Sequence, residues 1–573
     1  MKKVGYFIIL HILFVCFTVH GNILLRSTFE EYEGSSLQEM GWDSLYGGNG
    51  KLRIEREDLQ DRYQTQLHGR WSLQAYDAND TSFACAKHAF PSFGMIPNHP
   101  EYMIEFYFWF TDSASIENMH LYKPLKNSNL ADIGIMLDSA KIDTTDTTAY
   151  AYHYDDIFYI TVSDSDTSIS YTYSDSVIIL KGDPFDSHGL RWHKFQVHKL
   201  FNSHTITLYI DGTPIDTFKA ASGTNHPDSF LIGTTDTLQN GEGFWDDFII
   251  TTVPNGNHPR LFFSQSDIGD LKTRATKNSS TILDCSYKEM ADKVIALADG
   301  SLSCDSFYYF TYDHYMPFPF NQPRPYNSDS CSKYNAWLAV NREIEAWLQV
   351  LAFSYVLKGD TAYFNRTKKI LLALSNDWCQ WTDMQFGPQT EAAHPYLWYD
   401  AAHLIAGVAI SYDMTFDSLS DYEKMTIQNS LLSLGINQNL LVAIWDEEWD
   451  EDPVYHPNGY AVIFSAMGLA SLVIDDDDVS DFCDCIANAR IKKILDERKV
   501  CDSLGGWIEG IPYSEYGTDF IIAYAEAEKR IQNDTILKGR PYPEYYPEFR
   551  TYFTIFGPNR DSNVEVKFED YNE

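Results

Sequence analysis

The chain has 573 residues, 44% hydrophobic and 22% charged, which is too long for one ordinary core and too apolar for disorder. Its formal net charge of −38 disfavours nucleic acid and anionic membranes as partners, through long-range repulsion. The same charge works against an acidic substrate unless cationic side chains gather locally or salt screens it.

At the start, Lys2 and Lys3 precede an apolar run from Val4 to Val19 that only Gly5, His11 and Thr18 interrupt. Val19 and Gly21 are then placed for cleavage before Asn22. This pattern predicts a signal peptide over residues 1–21 and a protein that is secreted, either to the periplasm or outside the cell. The run is short for a bilayer span, and no second run reaches spanning length, so no membrane span is expected in the mature chain.

Residues 22–253 read as β structure. In Glu101–Phe110, Ile104, Phe106, Phe108 and Phe110 fall on one face of a strand. The segment from His204 to Ile210 alternates as well, Asp211-Gly212 follows as a hairpin turn, and Thr217-Phe218 resumes extended chain. Further strands are predicted at Ser229–Gly233 and from Phe244 to Thr251. Many short strands separated by turn signals predict a β-sandwich of the jelly-roll kind.

Residues 254–258 form a Pro/Gly/Asn linker, and from 259 to 573 the period becomes helical. Ile344, Trp347, Leu348, Leu351 and Tyr355 recur at the spacing of one helix face, and Gly359 is placed to end that helix. Helices are also predicted at 361–374, 404–412, 422–434, 461–474 and 520–527, an interval suited to stacked pairs. The acidic runs Asp446–Asp452 and Asp475–Asp478 read as solvated loops.

Of nine cysteines, Cys16 leaves with the leader; the other eight permit disulfides in an exported chain. Cys483 and Cys485 are too close for a zinc pair, so no metal or other cofactor is predicted; calcium at the acidic loops is conceivable but unsupported by any recognisable loop.

Two resemblances organise these pieces. Trp192 to Val197, the ITLYIDG segment, FLIGT and FWDDFII, with Phe29-Glu30-Glu31 near the start, resemble in order the laminin-G/concanavalin-like jelly roll. Over roughly 300 residues, the second half resembles the heparinase II/III and oligoalginate-lyase group of polysaccharide lyases. That likeness rests on His258-Pro259-Arg260-Leu261-Phe262-Phe263, Ala352 to Asp360, Ala409 to Glu423, and His456-Pro457-Asn458-Gly459-Tyr460. It also rests on Gly505-Gly506-Trp507-Ile508-Glu509-Gly510-Ile511-Pro512-Tyr513-Ser514-Glu515-Tyr516-Gly517 and on Phe556-Gly557-Pro558. The resemblance implies an incomplete (α/α) toroid with a substrate cleft. The β-sandwich that usually follows in the family has no room before Glu573, so it is expected to be absent.

The same resemblance implies β-elimination at a uronic acid of an acidic polysaccharide. That reaction needs a base, an acid for the leaving oxygen, and a group that neutralises the carboxylate. Carried over, Tyr513 is the first choice for the catalytic tyrosine, Tyr516 one turn later the second, and His456 the partner base. Asn458 is the choice for the substrate carboxylate; Glu509 and Trp507 would line or orient the site, with His394 and Trp398 as further wall residues. His403, nine residues after His394, does not share its helix face and reads as a packing residue. Arg342, Lys333 and Arg490 are available to make the cleft basic. A glycan-binding protein without chemistry is the alternative. A glycoside hydrolase is a third reading, needing facing carboxylates for which Asp400, Asp413 and Glu509 are available.

Overall fold

The computed structural model describes residues 23–27, 38, 42–47, 51–56, 71–77, 83–89, 101–110, 119–126, 129–130, 134–147, 151–163, 168–180, 193–200, 205–219, 227, 229–234, 241–279, 285–302, 306–311, 314–319, 330–376, 398–436, 457–496, 511–538, 540, 554–556 and 563–565. The leader and Phe29-Glu30-Glu31 lie outside them.

The first half is two antiparallel sheets. The strands are β1 (Ile23–Ser27), β2 (Trp42–Gly47), β3 (Lys51–Arg56), β4 (Trp71–Asp77), β5 (Phe83–Ala89), β6 (Glu101–Phe110), β7 (Met119–Lys126) and β8 (Asn129–Leu130). They continue as β9 (Gly134–Thr147), β10 (Ala151–Ser163), β11 (Ser168–Leu180), β12 (His193–Leu200), β13 (Thr205–Ile210), β14 (Thr213–Lys219), β15 (Ser229–Gly233) and β16 (Gly241–Thr252). One sheet runs β14-β13-β12-β6-β16-β4-β3, with β1 added on β16. The other runs β11-β10-β9-β7-β15-β5-β2, with β8 on β7. The crossovers between non-consecutive neighbours are those of a sandwich.

Side-chain alternation divides β6 between two cores. Ile104, Phe106 and Phe108 point into the sandwich core with Trp42, Phe195, Trp245 and Phe248. Phe106 stacks on Phe195 and Phe248 at 5.4 Å each. The opposite face, with Tyr107 on β6 and Phe244 and Ile249 on β16, joins the core of the helical half. Strands β6, β12 and β16 are buried on both faces, so polar side chains such as Glu105, Lys194 and Gln196 on the face toward the helices are buried and must find partners there. At the β13–β14 hairpin, Asp211 and Gly212 take φ of 49° and 73°, as the two-residue turn requires.

The second half is helical. Its helices are α1 (Ile268–Arg274), α2 (Tyr287–Leu302), α3 (Ser330–Lys358), α4 (Thr361–Asn376), α5 (Trp398–Thr415), α6 (Asp421–Ser430), α7 (Pro457–Ser471), α8 (Asp477–Asp496) and α9 (Ile511–Ile531). Gly359, at φ 69°, stops α3, and Ser420 with Glu423 forms a capping box at α6. The chain continues past α6 as a π turn over Leu431–Ile436. Helix α3 packs on α5, α5 on α7, and α7 on α8 and α9. Among the described residues, no helix is long and apolar enough to cross a membrane.

Two polar clusters join the halves. In the first, Lys194 of β12 reaches Glu105 of β6 at 3.1 Å with both side chains fully buried. Its Nζ also donates to the Ser375 carbonyl at 2.8 Å and to Ser430 Oγ at 3.1 Å. Gln196 of the same strand accepts from the Tyr422 hydroxyl at 3.0 Å. The second cluster holds the linker: Asp413 accepts from the backbone N–H of Arg260 and Leu261 and pairs with His258 Nδ1 at 2.7 Å. Asp475 accepts from Gly256 N–H at 2.7 Å and pairs with Arg260 Nη1 at 3.0 Å. Asp476 is buried, accepts from Ile23 N–H and caps α8 through Val479 N–H.

This corrects the reading of Asp475–Asp478 as a solvated loop: its first two carboxylates hold linker, first strand and helix start. Asp413 is likewise committed to backbone and imidazole, which removes it as a hydrolase carboxylate. Cys85 and Cys485 form no disulfide; burial, slightly offset by Lys123, pushes the Cys85 thiol up to about 11.

Candidate active site

Helices α3, α5 and α9 bring four side chains together. Arg342 and Glu345 lie on one face of α3, three residues apart. His403 comes from the first part of α5 and Tyr516 from the second turn of α9. Gly407 lets α3 and α5 approach closely, because a Cβ there would lie 2.9 Å from the Glu345 Cα.

The hydrogen bonds fix the chemistry of the imidazole. His403 Nδ1 pairs with the Glu345 carboxylate, which only accepts, so Nδ1 carries the proton. Arg342 Nε, which only donates, approaches Nε2 at 3.4 Å. Nε2 is therefore the acceptor, and the Tyr516 hydroxyl donates to it at 2.7 Å. The Arg342 guanidinium carbon lies 4.5 Å from the centre of the Tyr516 ring, a cation–π contact. The His403 and Tyr516 rings stack at 5.6 Å, and Phe520 meets the imidazole edge-on at 5.1 Å.

All four side chains open on one cavity of about 800 Å³. His403 is buried, Tyr516 half-buried and Arg342 exposed, so the cation is accessible to a ligand. A phenol hydrogen-bonded to an imidazole that a carboxylate orients is a relay: Tyr516 can pass its proton to His403, and Glu345 stabilises the imidazolium that forms. Arg342 is a cation beside the tyrosinate and beside any anion in the cavity. Among the described residues, no group of three His, Cys, Asp or Glu side chains comes together to hold a metal ion.

The residues expected from sequence are placed as follows. Tyr516 is at the centre of the relay. Tyr513 is in the first turn of α9, three residues before Tyr516; its side chain is not described, and neither is that of Trp398 at the start of α5. His456, Glu509, Trp507 and His394 lie outside the described residues. Asn458 is at the start of α7, buried, with Oδ1 accepting from Gly459 N–H, and it is not part of the cavity wall. Arg490 lies over Phe464 instead of the cavity, whereas Arg342 does line it.

His403 and Glu345 are the residues that sequence reasoning missed as functional. His403 reads as packing when weighed only against His394. Its partners are 58 and 113 residues away, on other helices. The available signal was Arg342 and Glu345 standing three apart beside the apolar stripe of α3.

No family model matches this chain, and no curated protein matches it. Partial likenesses exist to solved structures. A structure of botulinum neurotoxin type C, whose cell entry depends on interaction with two ganglioside molecules, is 14% identical with a TM-score of 0.23, covering 37% of this chain and 44% of that one. The binding domain of botulinum neurotoxin DC in complex with SialylT is 11% identical at 0.23, with the same coverage. A carbohydrate esterase from the Shiga toxin-encoding bacteriophage phi24B is 16% identical at 0.27, covering 40% of this chain and 99% of that one. This chain spans less than half the length of the neurotoxin chains it matches. Scores this low carry no argument about its fold or ligand.

Proposed function

We propose that this protein is an exported polysaccharide lyase that cleaves a uronic-acid-containing polymer by β-elimination, with Tyr516 as its proton-transfer residue. The observation that carries the reading is the Tyr516 hydroxyl donating to His403 Nε2 inside the cavity, with Glu345 behind the imidazole. The ordered motifs of the second half support the reaction class, and the leader pattern of residues 1–21 supports export.

On this reading the uronate carboxylate lies against Arg342, which neutralises the charge that builds up when the neighbouring carbon loses its proton. Tyr516 gives its proton to His403 and, as tyrosinate, takes the proton α to the carboxylate. The electron pair left on that carbon forms the new double bond as the glycosidic C–O bond breaks, and a proton from the reformed tyrosine goes to the leaving oxygen. Arg342 supplies a cation on a cavity wall that also carries Glu345 and Asp519, so it meets a substrate carboxylate locally and leaves the net −38 of the molecule standing.

The test is ultraviolet absorbance of the conjugated unsaturated uronate during incubation with a panel of uronic-acid polymers. Tyr516→Phe and His403→Ala are expected to slow the rise with the active polymer by roughly 10²–10⁴-fold. Tyr513→Phe is expected to leave more activity than Tyr516→Phe. A flat trace from folded wild-type protein sinks the lyase reading. The largely apolar cavity wall favours the second reading, a glycan-binding protein without chemistry; a flat trace with retained polymer binding would select it.

A further inference from the structure

The cavity changes character along its length, and three helices agree on the direction. On α3 the wall passes from Arg342, Glu345 and Gln349 to Phe353; on α5, from His403 to Ile410 and Met414. On α9 it passes from Tyr516 and Asp519 to Ala523. The first members of the three series touch one another, so the polar ends are level and the apolar ends lie together further on. Eleven residues separate Arg342 from Phe353 and His403 from Met414, about 16 Å of helix rise in each case. Phe263, packed on Phe353 at 6.1 Å, and Leu469 of α7 belong to the apolar end.

This apolar end is not closed core. Phe262, Phe353, Met414 and Ala523 remain half-exposed to the cavity, whereas neighbours such as Leu348 and Leu351 on the same helix are fully buried. Wetted apolar surface inside a concave wall is unfavourable until a ligand covers it. A bare sugar acid would satisfy Arg342 and Tyr516 and leave that surface wet.

We infer that the site takes an acidic sugar carrying an apolar substituent, alkyl or aryl, with the carboxylate at Arg342 and Tyr516 and the substituent between Phe353, Met414 and Ala523. The identity of the head group rests on the function proposed above; the apolar tail rests on the cavity wall alone.

Calorimetry with three probes separates the two: octyl β-D-glucuronide, methyl β-D-glucuronide and octyl β-D-glucoside. The octyl glucuronide is expected to bind at least roughly tenfold more tightly than the methyl glucuronide, since apolar burial grows with each methylene. Ala523→Phe, which fills the apolar end from a half-buried position, is expected to remove that advantage while leaving methyl glucuronide binding unchanged. Equal affinity of the octyl and methyl glucuronides overturns the inference. So does equal weakening of both by Ala523→Phe, or failure of both octyl probes to bind. If the two octyl probes bind equally and Ala523→Phe weakens both, the tail site stands and the acidic head group of the proposed function falls.

Discussion

His258 shows how much one side chain at the boundary holds. It lies between Asp413 and Asp475, with Arg260 also facing Asp475, and its ring stacks on Phe416 at 4.1 Å. Burial pulls its pKa down, but the hydrogen bonds to Asp413 and Asp475 prevail and hold it above the ordinary 6.5. Asp475 is the mirror case: burial raises it, and His258 and Arg260 hold it below 3.8. A raised histidine stabilises fully below its unfolded pKa, and the effect is lost as pH rises through the folded value. A depressed carboxylate stabilises above its unfolded pKa and loses that effect as pH falls through the folded value. The cluster is therefore strongest between about pH 4 and 6.5 and weakens above it. His258→Gln is expected to cost about 3 kcal/mol near pH 6 and to flatten the fall in stability above pH 6.5, read by urea titrations across pH. An unchanged pH profile would show that the imidazole stays neutral in the fold. The sequence marked His258-Pro259-Arg260 as an entry segment and Asp413 as part of a long motif, yet nothing in the spacing said that they pair. A contact over 155 residues has no periodicity to announce it. Tyr516 stands out in the sequence only as the tyrosine one turn after Tyr513 in a segment dense in Gly and Tyr; His403 carries no such mark, since a lone histidine in an apolar helix looks the same whether it packs or relays a proton.

At the scale of elements, the helix crossing decides the site. Helices α3 and α5 touch at Gly407, and the room that glycine leaves sets the distance from Glu345 to His403. Gly407→Ala forces backbone to move and is expected to cost roughly 1–3 kcal/mol, as overpacking does. It is also expected to lower turnover more than tenfold, by displacing Glu345 from the imidazole, through loss of transition-state stabilisation. Melting temperature and elimination rate measured together check this; full activity in a destabilised variant would detach the crossing from the relay. Strand positions were readable wherever turns punctuated them: Ser229–Gly233 has the expected bounds, and β13, β14 and β16 differ from expectation by a few residues. Helix α8 lies outside the predicted helices because its acidic first turn reads as loop, although acidic residues suit a helix N-terminus. Helix α9 begins nine residues before the predicted start, since Ile511-Pro512 suits a first helical turn and the glycines ahead of it drew attention instead.

Across the whole molecule, the helical half closes over an ion pair of the sandwich, Glu105 with Lys194, and hydrogen-bonds the lysine through Ser375 and Ser430. Burial pushes the Glu105 pKa up and the Lys194 pKa down, and each resists mainly through the other. Lys194→Met leaves Glu105 without its ion-pair partner at the junction and is expected to cost about 3–5 kcal/mol. The double change Glu105→Gln with Lys194→Met should recover much of that. Calorimetry of the three variants tests it: a double variant no more stable than the single one would mean that the contacts to Ser375 and Ser430 matter more than the charge pair. The sequence predicted two architectures in series but not this seam, because Lys194 and Gln196 alternate with Phe195 and Val197 and so read as the solvent face of a strand, which the helical half in fact covers. The relay has a further consequence, in time instead of space. Tyr516 closes it from a helix made 113 residues after His403. On the proposed reading a growing chain therefore carries the sandwich and most of its helices before it can react, and a fragment released before α9 lacks both the phenol and the wall that Asp519, Phe520 and Ala523 supply.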